Sequence, residues 1–190
     1  MKNQPSKTNK PLLGIGLILI AFVVFSFIAA SGKWLILAGI APMQMVFMRY
    51  SGHFIISTSI IIYKGVSFSS LKADKLFLVI LRAFFLFSST ALQFLAFQYL
   101  PLALTATIEF TAPIIICLLS WPILGERVGL FRSVAIAFGF LGVLIIIKPF
   151  GEQLHPAVFL SLMGASCFAL YAILSRKLAG IVSVDIMQFY

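Results

Sequence analysis

Carboxylates are scarce in this chain: five Asp and Glu stand among 190 residues, against fourteen Lys and Arg and two His. Hydrolytic and metal-assisted chemistry draws on clustered acidic and histidine side chains, and nothing of that density occurs. The patterns H-E-x-x-H, G-x-S-x-G and G-x-x-x-x-G-K-[ST] are all absent, which argues against a zinc protease, a serine hydrolase and an ATP-driven machine. The two cysteines, Cys117 and Cys167, each sit inside an apolar run. Cysteines so placed behave as small hydrophobes, and they suggest neither a disulfide framework nor a metal site. No cofactor is expected. Charge of either sign accounts for 10% of residues while 62% are hydrophobic, more apolar surface than a water-soluble domain of this size can hide.

What is present is a series of six long apolar runs separated by short polar breaks. A hydrocarbon layer of about 30 Å, crossed at about 1.5 Å per residue, calls for helices of this length. The expected spans are Leu12–Ala30, Pro42–Tyr63, Leu76–Tyr99, Leu102–Leu124, Leu130–Ile147 and Ala157–Leu174. Breaks fall where Gly, Pro and Lys gather: Gly39 to Pro42, Lys64 to Lys75, Pro101, Gly125 to Gly129, and Pro149 to Pro156. Leu100 and Pro101 alone join the third span to the fourth, so those two form a tight antiparallel hairpin. The fold class is therefore an all-α integral membrane protein, a multi-helix transmembrane bundle in a lipid bilayer. The apolar stretch after Lys2, Lys7 and Lys10 is too long for a signal peptide and has no clear cleavage site, so it reads as an uncleaved first helix.

The net charge of +9 does not point to nucleic acid, because the basic residues are scattered between spans and form no patch. They do set an orientation. With the N-terminus inside, the inner segments carry ten, namely Lys2, Lys7, Lys10, Lys64, Lys72, Lys75, Arg127, Arg132, Arg176 and Lys177, and the outer segments only Lys33 and Lys148. That is a positive-inside bias with a cytoplasmic N-terminus.

A weaker signal is internal. Phe25–Leu35 can be laid on Phe168–Leu178, and after a short gap Gly39-Ile40 meets Gly180-Ile181. A basic residue closes each helix and a Gly-Ile turn follows. A repeat of five spans sends its second copy into the membrane from the opposite side, the inverted-repeat logic of secondary transporters. Residues 1–11 are then a cytoplasmic tail, 12–149 a first repeat of five helices, and 155–190 the start of a second. The chain ends at Tyr190, in the opening of a seventh span. A second copy of full length calls for roughly a hundred further residues, judged from the first, so a truncated chain is expected.

The segment from Tyr99 to Pro149 carries a resemblance. Tyr99-Leu100-Pro101-Leu102-Ala103 opens the fourth helix, Pro113 lies inside it, and Leu124-Gly125-Glu126-Arg127 closes it. Gly139-Phe140-Leu141-Gly142-Val143 and Lys148-Pro149 follow. Together with Arg49-Tyr50, Arg82, and Leu174–Leu178 followed by Asp185 and Tyr190, this resembles the EamA half of the drug/metabolite transporter superfamily. The resemblance implies ten helices in two inverted five-helix repeats. It also implies a secondary-active carrier of the bacterial inner membrane that moves a small organic metabolite by alternating access. Amino acids, nucleosides, cofactors or their relatives are the implied substrates, and proton coupling is allowed. The alternatives are a non-transporting membrane protein, a remnant, or a half-transporter completed by a second chain as a homo- or heterodimer.

Within the spans, Glu109 is the sharpest candidate. It lies eight positions past Pro101, about 12 Å into its helix, and a carboxylate there needs a partner, a proton or a water-filled space. Arg49, seven positions past Pro42, reaches a depth of about 10 Å in a helix entering from the same side. Opposite charges at matching depth suggest a buried pair that fixes packing, or two sides of one substrate or proton site; the remaining alternative is that they never meet. His53 and Ser57 follow Arg49 at one-turn intervals on the same face. Gln93, at a similar depth, joins Thr105 and Trp34 as candidate lining of a polar cavity. The plainer reading of each alone is an interhelical hydrogen bond. Pro113 frees the carbonyl of Glu109, which suggests a cation or proton site and a hinge, or else a static kink. Arg82 is expected to snorkel to the inner surface.

Overall fold

The computed structural model describes residues 11–65, 75–125 and 155–190, with a few positions between 129 and 145. The helices with both ends described are α1 (Pro11–Leu37), α2 (Pro42–Tyr63), α3 (Leu76–Tyr99), α4 (Leu102–Glu109), α5 (Thr111–Leu124), α6 (Ala157–Leu178) and α7 (Val184–Phe189), and the positions described between 134 and 145 are helical too. Five stretches are long and apolar enough to cross a membrane: Leu19–Leu37, α2, α3, Leu102–Ser120 and α6. The chain is an all-α, multi-pass membrane protein. The expected fifth span, Leu130–Ile147, falls largely outside the described residues.

Local chemistry explains the boundaries. Pro42 opens α2 at the first helical position, where its missing N–H costs nothing, behind an extended Ala41. α1 closes with Gly39 at φ 96°, while Ile40 N–H reaches Leu35 O at 3.1 Å and Gly39 N–H reaches Ile36 O at 3.0 Å. This is the Schellman arrangement, which needs a residue at positive φ. Between α3 and α4, Leu100 is extended ahead of Pro101, as the proline ring demands. Pro101 O then accepts from Leu104 and Thr105 N–H to start α4.

Three expectations are corrected here. α1 runs seven residues past Ala30, and α6 four past Leu174. The expected fourth span is two helices, interrupted at Phe110. Pro113 accounts for that break, because its ring excludes the carbonyl four residues back and it has no N–H to offer Glu109 O.

The two ends closed by a Gly-Ile turn share more than sequence inspection of Phe25–Leu35 suggested. α1 and α6 end at Leu37 and Leu178, and Leu37-Ala38-Gly39-Ile40 is identical to Leu178-Ala179-Gly180-Ile181. Gly180, like Gly39, has positive φ, at 81°. Its turn differs in kind: Ala179 is at φ −59°, ψ 128°, and Ile181 N–H reaches Leu178 O at 3.0 Å, a type II turn.

α3 is the central helix. It packs most extensively on α6, and also against α2, α1 and α4, while α6 is further covered by α5 and α4. The seam between α3 and α6 is made close by small residues: Ala157, Ser161, Gly164, Ala165 and Ala169 are all buried along one face of α6. A Cβ on Gly164 would stand 3.4 Å from Ser89 O and 3.5 Å from Leu92 Cβ. Large side chains are turned outward instead, among them Phe22, Phe27, Phe47, Ile55, Phe77 and Phe159, each more than 60% exposed, as a lipid-facing surface requires.

Side-chain ties sort into two ends. Lys64 meets Asp185 and Arg82 meets Ser175 at one end. Lys33 meets Leu100, and Tyr99 stacks on His155, at the other. Helices that alternate in direction pair in this way.

Candidate functional site

A polar strip runs along α3 on the faces turned to its neighbours: Arg82, Ser89, Thr90 and Gln93. Spacings of seven and four residues, two turns and one, put Arg82, Ser89 and Gln93 on the face toward α6. Gln93 is buried, and its Oε1 has no hydrogen-bond partner. Across the seam, Ser161 is fully buried and its hydroxyl is likewise unpartnered. Backbone contact at Gly164 with Ser89 and Gln93 sets the level of the two helices, which brings Ser161 to about the depth of Gln93. Ser161 was missed in the sequence because one serine in an apolar helix carries little signal. Its place in the four-residue repeat of small side chains on α6 is the signal that could have found it.

Toward α2, the Tyr50 hydroxyl donates to Thr90 Oγ1 at 3.0 Å, and Thr90 donates on to Leu86 O at 3.0 Å. The Tyr50 ring also packs on Phe87 at 5.4 Å. Tyr50→Phe keeps the ring and removes one interhelical bond. It should cost about 0.6–1 kcal/mol, read as a small drop in midpoint when the protein is unfolded in detergent. A loss above about 2 kcal/mol would mean the hydroxyl holds more than this one bond.

The sequence candidates are not gathered at one point. Thr105 is fully buried on α4, but its hydroxyl bonds Leu102 O at 2.9 Å, within its own helix. Trp34 is 68% exposed on α1. Arg49 and His53 lie on exposed surface of α2, and Glu109 is exposed at the last position of α4. Arg49 and Glu109 form no ion pair; among the described residues the ion pair is Lys64 with Asp185, at 2.6 Å. The expected buried pair is therefore corrected. The reason is topological: α2 packs chiefly on α3 and α7, and α4 on α6, α3, α1 and α5, so α3 stands between them. Matching depth does not bring two helices into contact.

The expected face of α2 does hold together by spacing, but its cover is uneven. Ser57 is buried, whereas His53 and Arg49, one and two turns away, are exposed. α7 packs on this helix, with Phe189 5.9 Å from Phe54. Glu109 stands at the seam between two half-helices. Its carbonyl cannot receive a bond from Pro113, and Phe110 N–H turns back to Thr107 O at 3.1 Å.

Arg82 is a second correction. It does not snorkel away from the bundle. Nε donates to Ser175 Oγ at 2.7 Å, Nη1 to Met187 O at 2.7 Å and Nη2 to Tyr171 Oη at 3.1 Å, and the guanidinium lies 4.7 Å from the Tyr171 ring centroid. At the other end, Lys33 Nζ donates to Phe97 O and, at 2.9 Å, to Leu100 O, so a cation neutralises the carbonyl-rich end of α3.

A bundle of alternating apolar helices with charged and polar side chains inside its spans is a multi-pass membrane protein. The chain belongs to the EamA-like transporter family, whose model matches residues 12–148. The family is one of transporters, not enzymes. Among curated proteins, an S-adenosylmethionine uptake transporter of Rickettsia bellii is 26% identical over 178 residues, covering 94% of this chain and 60% of the relative. A protein of the same description from Rickettsia conorii is 26% identical over 179 residues, with the same coverage of 94% and 60%. Solute carrier family 35 member G1 of Mus musculus is 28% identical over 144 residues, covering 76% of this chain and 39% of the relative. The chain thus spans about 60% of the length of the rickettsial relatives. No solved structure matches it.

Proposed function

We propose that the chain is the membrane-embedded body of a secondary-active carrier that moves a small organic metabolite across the bacterial inner membrane by alternating access. The observation that carries this reading is the family match over residues 12–148. The ionisable side chains inside the spans support it. Arg49, His53 and Glu109 stand on uncovered surface of the bundle, without a hydrogen bond or ion pair to another described residue. Hydrocarbon is a poor environment for all three, so a water-filled passage or further protein faces them.

The basic residues favour a cytoplasmic N-terminus. The identical Leu-Ala-Gly-Ile runs after α1 and α6 support a second repeat beginning at α6, entering from the opposite side. The rickettsial relatives make S-adenosylmethionine the first substrate to try. That molecule carries a sulfonium cation, to which the Glu109 carboxylate offers a complementary charge. Glu109 is also the group best placed to carry a coupled proton.

The test is uptake by the chain in proteoliposomes, with labelled S-adenosylmethionine beside amino acids and nucleosides. Chemical crosslinking alongside shows whether a second chain completes the passage. Glu109→Gln should lower flux by about tenfold or more while leaving the unfolding midpoint within about 1 kcal/mol of the parent. Full flux with only the midpoint changed assigns Glu109 to packing instead.

A further inference from the structure

We infer that Arg82 is the latch of a gate at the Lys64 end of the bundle: it holds α7 down on α3 and α6, and its release opens that end while the other stays shut. The inference rests on the carrier reading, because alternating access needs one end to open at a time.

Three observations carry it. The first is the kind of partner Arg82 has. Its acceptors are two hydroxyls and a carbonyl, Ser175, Tyr171 and Met187, with no carboxylate among them. A guanidinium paired with a buried carboxylate is hard to separate, whereas neutral acceptors are exchanged for water with less loss. Ser175 is itself held in place, donating to Tyr171 O at 2.8 Å, so the receiving groups are preorganised on α6.

The second observation is how α7 is attached. It follows a turn at Gly180 with φ 81°, so the chain enters it through a pivot and not through a continuous helix. Its second tie, Lys64 Nζ to Asp185 Oδ1 at 2.6 Å, is partly exposed, with side chains 50% and 31% accessible. Water can replace that tie at modest loss. Under α7 lies a separate apolar cluster of Val79, Leu178, Val182 and Met187.

The third is that the opposite end is held by different groups. There Ala96, Leu100, Ile108 and Ala157 form their own cluster, and Lys33 binds the carbonyls of Phe97 and Leu100. None of these residues belongs to α7. The two ends can therefore part independently.

The experiment reads access at each end without any substrate. In a background with Cys117 and Cys167 changed to serine, a single cysteine replaces either Val79 or Leu100, both nearly fully buried. Labelling by a hydrophilic maleimide is then timed in detergent micelles, where both ends meet the reagent. Adding Arg82→Gln should speed labelling of Val79→Cys by about tenfold or more and leave Leu100→Cys within about twofold. Where Arg82→Gln fails to fold, the pair Ser175→Ala with Asp185→Asn removes two ties without stranding the guanidinium, and it should raise the Val79→Cys rate by about threefold or more. Unchanged labelling at Val79→Cys overturns the latch. A parallel rise at Leu100→Cys overturns it too, because that is general loosening. Absence of uptake in the flux assay bears on the carrier reading alone, so the two failures are told apart.

Discussion

Leucine in place of Gly164 should prevent the central seam from closing. In lipid, helices gain little from burying apolar surface against one another, so close contact and hydrogen bonds must hold them together. The seam between α3 and α6 is the most extensive helix contact in the bundle. At Gly164 the nearest atoms across it are Ser89 O at 3.4 Å, Leu92 Cβ at 3.5 Å and Gln93 N at 3.7 Å from a built Cβ. Two of these are backbone atoms, which cannot turn aside. Alanine fits at ordinary contact and should stay within about 1 kcal/mol of the parent. The further carbons of leucine have no room unless α6 moves away from α3 along its length. The expected loss is about 3 kcal/mol, at the upper end for overpacking and a large share of a typical folding free energy. Unfolding in mixed detergent, with size-exclusion profiles alongside, would show it. A leucine variant as stable as the alanine variant would mean that the seam is loose.

The second large effect is expected at Lys33. Methionine keeps the length and apolar bulk of the stem but removes the ammonium that meets Phe97 O and Leu100 O. Both carbonyls lie at the end of α3, where no further turn of helix satisfies them. Hydrogen bonds from a charged donor contribute about 1.5–3 kcal/mol each, and a cation at a helix C-terminus adds to this. With Lys33 only partly buried, a net loss of about 2 kcal/mol is expected for Lys33→Met. Lys33→Arg should recover most of it. A loss below about 0.5 kcal/mol would show that water takes over both carbonyls.

Lys33 also bears on where α1 ends. The expected first span, Leu12–Ala30, stops three residues short of this basic side chain. The helix instead carries on to Leu37, because the charge is received by α3 and has no need to end the helix. Where the stop signal is a constraint on the backbone itself, the reading was sound. α2 and α3 span Pro42–Tyr63 and Leu76–Tyr99 in sequence and structure alike. Pro113 lies between the two cases. A disturbance near Glu109 was legible, and its position at Phe110 followed from the proline ring, yet that the span divides into two helices was not.

For the candidate site, the depth of a residue could be read from its distance to the nearest break, and its direction around the helix could not be tied to a neighbour. Gln93 and Thr105 were picked out as polar groups in spans, and both are buried. Arg49 and Glu109 were picked out by the same reasoning and placed at one level, but α3 separates their helices. Arg82 was assigned to the surface, though it ties three helices through residues 89 to 105 positions away. No local pattern announces partners at that remove.

The amino-acid order by itself determined that this protein lives in a bilayer, where its helices cross and which family it resembles. Hydrocarbon imposes length and apolarity on every crossing segment separately, and each segment therefore displays them in its own residues. Only the tertiary structure decided what each buried charge touches. A side chain meets its partner through the rotation of one helix against another, and that rotation is set by small residues such as Gly164 acting across the whole seam.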